Sequence, residues 1–183
     1  MKTINTDLHR DIIQDCLRGQ SDGYEKLYKL YSRAMYNVCF RIVNDREDAE
    51  DVMQEAFVNA FYNLKSYKGD ASFGAWLKRI MINTSINFVK KKHLVTISLD
   101  DQYENISDEE TTSEPFYSVE AIQKAIQQLP DGYRMVFSLY LLEGYDHAEI
   151  AEILDITEST SKSQYNRSKN KLRELIKIRD GKR

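Results

Sequence analysis

The stretch DHAEIAEILDITESTSKSQYNRSKNKLREL, residues 146–175, leaves its backbone few choices. His147 to Leu154 set Ala148, Ile150, Ala151, Ile153 and Leu154 at helical spacing. Asp155-Ile156 interrupts the pattern, and Thr157 is placed to accept a hydrogen bond from the first turn of a second helix. Glu158 then sits at the positive end of that helix's dipole. The second helix opens on Ser159, Thr160, Ser161 and Ser163 and turns basic, with nine Lys or Arg from Lys162 to Arg183 against Glu174 and Asp180. A short helix, a tight turn and a polar, then cationic, helix form the helix-turn-helix pattern that enters a DNA major groove. The same pattern also serves as two core helices with a solvated basic tail, so the motif alone leaves both readings open.

The rest of the chain is written for helices too. Seven Gly and two Pro among 183 residues are too few for a sheet protein rich in turns. Cys16 and Cys39 fall inside helical patterns, where buried, reduced thiols are expected. His9, His93 and His147 are scattered, without partners at metal-ligand spacing, and no glycine-rich phosphate loop or activated nucleophile motif occurs. An enzyme is therefore not expected, and neither a cofactor nor a metal. Residues 1–7 lack a signal-peptide pattern and no apolar run is long enough to span a bilayer, which predicts a cytoplasmic protein.

Charge divides the chain into three blocks. Residues 1–92 carry 15 Lys or Arg against 12 Asp or Glu, residues 93–117 carry seven acidic side chains and no Lys or Arg, and residues 118–183 carry 11 basic against 10 acidic. This distribution predicts an all-α chain of two small helical domains, 1–92 and 118–183, joined by a flexible acidic linker at 93–117. Leu94–Leu99 reads as a short extended piece within that linker.

Within the first domain, helices are expected at 6–18, with Leu8, Ile12, Ile13 and Leu17 inward, and from Ser21 or Asp22 to Val43. The second would bury Tyr24, Leu27, Leu30, Tyr31, Ala34, Val38 and Ile42. Asp45 opens the clearest helix, with Ala49, Val52, Met53, Ala56, Phe57, Ala60, Phe61 and Leu64 in one stripe. Its opposite face begins with Asp45, Glu47, Asp48, Glu50, Asp51 and Glu55, more carboxylates than capping needs. Such a run is either a solvated face or a dock for a basic partner. A polar loop, Lys65 to Ser72, leads to a fourth helix with Phe73, Trp76, Leu77, Ile80, Met81 and Thr84 inward. Between Ala71 and Lys92 there is no acidic residue, while Lys78, Arg79, Lys90, Lys91 and Lys92 are basic and Asn83 and Asn87 share a face. A basic helix beside a polar loop suits an unstacked base. The second domain opens at Ser118 with Val119, Ile122, Ala125, Ile126 and Leu129 as apolar set. Pro130 starts a further helix carrying Val136, Phe137, Leu139, Tyr140, Leu141 and Leu142, and Gly144 ends it before the helix-turn-helix.

Three runs, DREDAEDVMQEAF, ASFGAWLKRIMINTSINFVKKK and QLPDGYRMVFSLYLLEGYDHAEIAEILDITESTSKSQYNRSKNKLRE, resemble the bacterial sigma-70 family. More narrowly, the chain is similar to the small two-domain sigma factors of the extracytoplasmic-function group, in order and over nearly its whole length. The resemblance implies a non-catalytic subunit that joins core RNA polymerase and recognises and melts promoter DNA. It implies that Asp48, Asp51, Gln54 and Glu55 grip the clamp helices of the largest polymerase subunit. Lys68, Gly69, Ser72, Arg79, Asn83 and Asn87 would melt the minus-ten element and capture a flipped base. The acidic linker would thread toward the active-site cleft, and the second domain would rest on the polymerase flap and read the minus-thirty-five element. In the reading helix, Lys162, Ser163, Asn166 and Arg167 fall at groove-facing positions, with Thr160 near a phosphate. An anti-sigma protein, often membrane-anchored, is the further partner implied.

Promoter elements two turns of B-DNA apart lie roughly 60–70 Å from one another, and 25 linker residues reach at most about 85 Å at ~3.4 Å each. The reading helix departs from the family pattern. Ser159, Ser161 and Gln164 stand where Gly, Val and Arg are common, and Asp155 where the turn often has Gly. Asp tolerates a left-handed backbone better than most residues. At Ser161, which replaces an aliphatic contact with the scaffold helix, looseness or a hydroxyl bonded back to its own helix is expected. Two other functions fit the residues without the resemblance: a helix-turn-helix regulator that binds duplex DNA alone, and a protein-binding module with a degenerate helix-turn-helix.

Overall fold

A computed structural model describes residues 9–96 and 118–180, and every regular element among them is helical. Two compact units divide the chain near residue 94, each with its own buried core.

In the first unit, α1 (Arg10–Leu17) turns Ile13 and Cys16 inward; residues 6–8 of the helix expected here lie outside the described residues. It meets α2 (Ser21–Val43) at Gly23, where a Cβ would stand 2.8 Å from Cys16 Sγ, so only glycine admits this approach. Tyr24 donates its hydroxyl to the Cys16 carbonyl at 2.9 Å. Neither Ser21 nor Asp22 caps α2. Gln20 holds the cap position and its side chain makes no capping hydrogen bond. The buried stripe also differs from the expected one. Leu27, Val38 and Ile42 are buried, but Leu30 is 53% exposed and Ala34 is exposed, while Met35 and Cys39 are inside. The neighbour decides this: Cys39 Sγ meets Met81 Sδ of α4 at 3.8 Å, drawing the 35–39 side of α2 into the core. Both cysteines are free and buried. Burial pushes the Cys39 thiol up to about 11.

The third helix, α3 (Arg46–Tyr62), begins at an Asp45 cap whose carboxylate accepts from the Asp48 N–H at 3.0 Å. Its apolar stripe is buried as expected, from Ala49 through Ala60, and continues to Leu64 in a 3-10 turn at Leu64–Ser66. After the loop comes α4 (Phe73–Thr96), which buries Phe73, Leu77, Met81, Ile82, Ile86 and Val89. The buried Ser85 hydroxyl is satisfied by the Met81 carbonyl at 2.8 Å. Trp76, expected inward, is only half-buried. The helix also runs through Thr96, so Leu94–Thr96 is helical rather than extended. No Gly or Pro occurs between Gly74 and Pro115 to stop it. The remainder of the expected acidic linker lies outside the described residues.

In the second unit, α5 (Val119–Gln127) is capped by Ser118, whose Oγ accepts from the Ala121 N–H at 3.2 Å. Ala125 and Leu129 are buried, whereas Val119, in the first turn, is 66% exposed. Pro130 leads into α6 (Asp131–Phe137), which widens into a π-helical segment at Ser138–Leu142. The wider turn breaks the 3.6-residue period. Val136, Phe137 and Leu139 are buried as expected, but Leu141 and Leu142 are exposed, and Tyr140, 37% exposed, lays its ring against His147 and Tyr165. Arg134, a residue no apolar pattern marks, is 3% exposed. Its guanidinium donates to the Leu129 carbonyl at 2.9 Å and pairs with Asp131, tying the α5–α6 connection together. Then α7 (His147–Leu154) and α8 (Glu158–Asp180) complete the helix-turn-helix, with α8 packed on α5, α6 and α7.

Candidate functional site

Three exposed polar surfaces stand out, two on the first unit and one on the second.

The first is the outer face of α3. Asp51, Gln54 and Glu55 are exposed and lie one turn apart on the same side. Asp48 continues the row but is half-buried, because Lys92 of α4 pairs with it at 2.6 Å. In the other direction the row runs on through Val58 and Tyr62, both exposed, Tyr62 at 89%. The residues thus share a face, with one carboxylate already engaged and an apolar end that the charge count did not reveal.

The second surface joins the loop before α4 to the outer side of that helix. Lys68, Gly69 and Ser72 are exposed on the loop. Gly69 has φ +81°, and a Cβ there would meet nothing within 4 Å, so the conformation rather than space calls for glycine. Ser72 caps α4, its Oγ accepting from the Ala75 N–H at 3.2 Å. Tyr67 fixes the loop by donating to the Ala71 carbonyl at 2.8 Å. Burial and, after it, the Asp70 carboxylate raise its phenol above the ordinary range, keeping it a donor. Tyr67 also packs against Phe73 and Trp76, with ring centroids 5.6 and 5.5 Å away. Half-buried Trp76 therefore borders both the core and the loop. Arg79, Asn83 and Asn87 recur every fourth residue along α4 and are all exposed, as is Lys90 beyond them.

The third surface is the outer face of α8. Asp146 and Glu149 form a reciprocal capping box that starts α7, with bonds of 2.8 and 2.9 Å. Asp155 ends it in the left-handed conformation, φ +60° and ψ +51°. Thr157 Oγ1 then accepts from the Thr160 N–H at 3.0 Å, as expected of the cap of α8, and also shares a hydrogen bond with the Thr160 hydroxyl. Lys162, Ser163, Asn166 and Arg167 are all exposed on one side of the helix, with Thr160 half-buried at its start. Lys162 is held by Glu158, one turn back, at 2.6 Å.

Behind that face, Ser161 corrects the expectation. It is wholly buried, and its Oγ bonds neither loosely nor to its own helix but to His147 Nδ1 at 2.9 Å. The His147 ring stacks on Tyr140 with centroids 4.5 Å apart and meets Tyr165 edge-on at 5.7 Å. The only sign in the sequence was a small hydroxyl where an aliphatic residue is usual.

Family models decide what these surfaces belong to. Sigma-70 region 2 matches residues 27–94, and Sigma-70, region 4 matches residues 119–172. The chain belongs to the bacterial sigma-70 family. More narrowly it is an extracytoplasmic-function sigma factor. Its sequence is 29% identical over 177 residues to the ECF RNA polymerase sigma factor SigW of Bacillus subtilis, covering 90% of this chain and 95% of that one. It is 28% identical over 182 residues to the ECF RNA polymerase sigma-E factor of Escherichia coli, covering 91% and 95%. The fold resembles that of the sigma factor RpoE from Bartonella quintana, solved in complex with the anti-sigma factor NepR: TM-score 0.57, 22% identity, 85% of this chain and 97% of that. It also resembles CnrH in complex with the cytosolic domain of CnrY, with TM-score 0.54, 20% identity, and 94% and 99% covered. Region 2 of this sigma factor contains the acidic face and the loop–α4 surface, and region 4 contains the helix-turn-helix. As a sigma factor it is a regulatory subunit of transcription initiation and not an enzyme.

Proposed function

We propose that the three surfaces divide the work of initiation among themselves: α3 docks on core RNA polymerase, the loop and α4 open the promoter, and α8 reads it. The observation that carries this reading is the face of α8, where Lys162, Ser163, Asn166 and Arg167 are exposed together while Ser161 and Ser168 are buried behind them. That arrangement presents two cations and two hydrogen-bonding side chains to a groove. Thr160, half-buried at the start of the helix, contacts a phosphate in this reading.

On α3, Asp51 and Glu55 offer carboxylates and Gln54 an amide to the basic clamp helices, with Asp48 beside them already paired to Lys92, and Val58 and Tyr62 add apolar area to the same contact. On the loop, Lys68, Gly69 and Ser72 bring backbone and small polar groups to an extruded base, and Arg79, Asn83 and Asn87 line the strand's path along α4. Unstacking a base costs a few kcal/mol, so a preformed loop held by Tyr67 lowers what remains to be ordered. Exposed Leu141 and Leu142 suit an apolar contact with the polymerase flap. Residues 1–92 and 118–183 act as the two promoter-binding domains, with 93–117 between them. The chain works in the cytoplasm, and no described helix is long and apolar enough to cross a membrane. An anti-sigma protein, membrane-anchored in one form, holds it inactive; the Bartonella and CnrH structures, each with a bound partner, support that expectation.

The test is reconstitution. Purified chain should co-elute with core polymerase, and the pair should start transcripts at discrete promoters where core alone does not. Arg167→Ala should cost about 1–3 kcal/mol of minus-thirty-five discrimination and leave core binding intact. Tight sequence-specific DNA binding by the isolated chain, with no effect of core, would overturn the proposal.

A further inference from the structure

His147 belongs to the scaffold helix of the helix-turn-helix, yet it touches the reading helix on two successive turns. Its Nδ1 shares a 2.9 Å hydrogen bond with Ser161 Oγ, and its ring edge meets Tyr165, four residues on. Its other face is covered by Tyr140 of the π-helical segment, nearly parallel at 14°, and Tyr140 itself meets Tyr165 at 4.5 Å. Lys169 Nζ stands 4.9 Å from the Tyr165 ring on the next turn of α8. One imidazole of α7 is thus wedged between the π-helical segment and α8, with a directional bond at one edge.

We infer that His147 is a positioning residue for promoter reading, which fixes the rotation of α8 about its own axis through Ser161 and Tyr165. The physical argument is one of directionality. Two aliphatic side chains in contact slide past each other at little cost, so several rotations of a helix satisfy them. A hydrogen bond weakens steeply away from its preferred angle, so it selects one rotation. Ser161 lies between Thr160 and Lys162, and Ser163 follows; any turn of the helix that breaks the His147–Ser161 bond moves those groups across the groove. Ser161 is wholly buried, so its hydroxyl has no water to fall back on. A residue that sets how the promoter is read is in this sense on the scaffold helix, behind the reading face.

The inference rests on the reading of α8 as the minus-thirty-five reader, and the experiment keeps the two apart. Holoenzyme is reconstituted with four chains: wild type, His147→Phe, Ser161→Val, and the double variant. His147→Phe keeps a ring to stack on Tyr140 but removes the bond, and Ser161→Val strands the imidazole nitrogen. Initiation is measured at a promoter mapped with the wild-type holoenzyme and at the same promoter with single base changes in the minus-thirty-five element. A premelted template lacking that element reports on the remaining functions, and circular dichroism with thermal melting on folding. Each single variant should lose roughly two- to tenfold of its discrimination between the correct and altered elements, the range one buried hydrogen bond commands. Activity on the premelted template should stay at the wild-type level. The double variant, with no polar group left stranded, should recover most of the loss, so that the two effects are far from additive. Ser161→Thr, which keeps the hydroxyl, should discriminate better than Ser161→Val. Folded single variants that discriminate like wild type, or single effects that simply add, overturn the inference. A wild-type holoenzyme indifferent to the minus-thirty-five element overturns the underlying reading and the inference with it.

Discussion

Lys92 Nζ stands 2.6 Å from Asp48 Oδ2, joining α4 to the first turn of α3 across 44 positions of sequence. The pair sits at the edge of the acidic face, so it removes one carboxylate from the set offered to a basic partner. Exposed ion pairs contribute little to stability, and Lys92→Ala should lower the unfolding free energy by less than about 1 kcal/mol. Its larger effect should be on docking. Asp51→Ala and Glu55→Ala should each weaken binding to core polymerase more than Asp48→Ala does, measured by competition with labelled wild-type chain for limiting core. Asp48→Ala emerging as the most damaging of the three would contradict this ranking.

Asp155 occupies a left-handed conformation that costs an L-residue roughly 1–2 kcal/mol, at φ +60°. Glycine avoids that cost and loses part of the gain in chain entropy. Asp155→Gly should therefore stabilise the second unit by up to about 1 kcal/mol, and Asp155→Val should destabilise it by more than that. Thermal melting of the two variants settles the sign.

Gly69→Ala isolates a purely conformational effect, because φ is +81° and a Cβ would meet nothing. The loop should lose about 1–2 kcal/mol of preference for its present shape. Slower promoter opening should follow, with a smaller defect on a premelted bubble, where the base is already unstacked. Equal defects on both templates would place the damage elsewhere.

The thiols predict an alkaline limit. Burial raises Cys16 and takes Cys39 from 9.0 to about 11. A raised acid favours the neutral thiol in the folded state, so its stabilising contribution is complete below pH 9, the ordinary value, and is lost as pH rises toward 11. Unfolding free energy should fall across that window, and Cys39→Ala should flatten the fall even where it lowers stability overall. In the native protein at pH 8, a thiol reagent should modify Cys39 only as fast as the chain opens.

What could be read from the chain followed from how far local pattern determines packing. On α3 a single stripe from Ala49 to Leu64 faces the core without competition, and each of its buried positions was legible. Helix α2 carries apolar side chains on several sides, so periodicity admitted Leu30 and Ala34 where α4, through Met81, selects Met35 and Cys39. That the residues proposed for the sites of α3, α4 and α8 share faces was legible, because a helix fixes which residues share a side, but the half-burial of Asp48 and Thr160 was not. Arg134 and the His147–Ser161 bond were not. Each depends on a group reaching a partner that hydrophobic patterning does not encode, a backbone carbonyl in one case and an imidazole 14 residues away in the other.

The π-helical segment at Ser138–Leu142 carries a consequence for chain length rather than for residue type. Such a turn is a helix holding one residue more than an α-helical path along the same axis would take. Deleting a single residue there would wind the segment shut as an α-helix and leave the residues on either side of it in register. The exposed apolar groups Leu141 and Leu142 lie in the segment that holds the surplus residue, so the deletion would shorten that run. Here the count of residues, more than their chemistry, sets how far that apolar run extends.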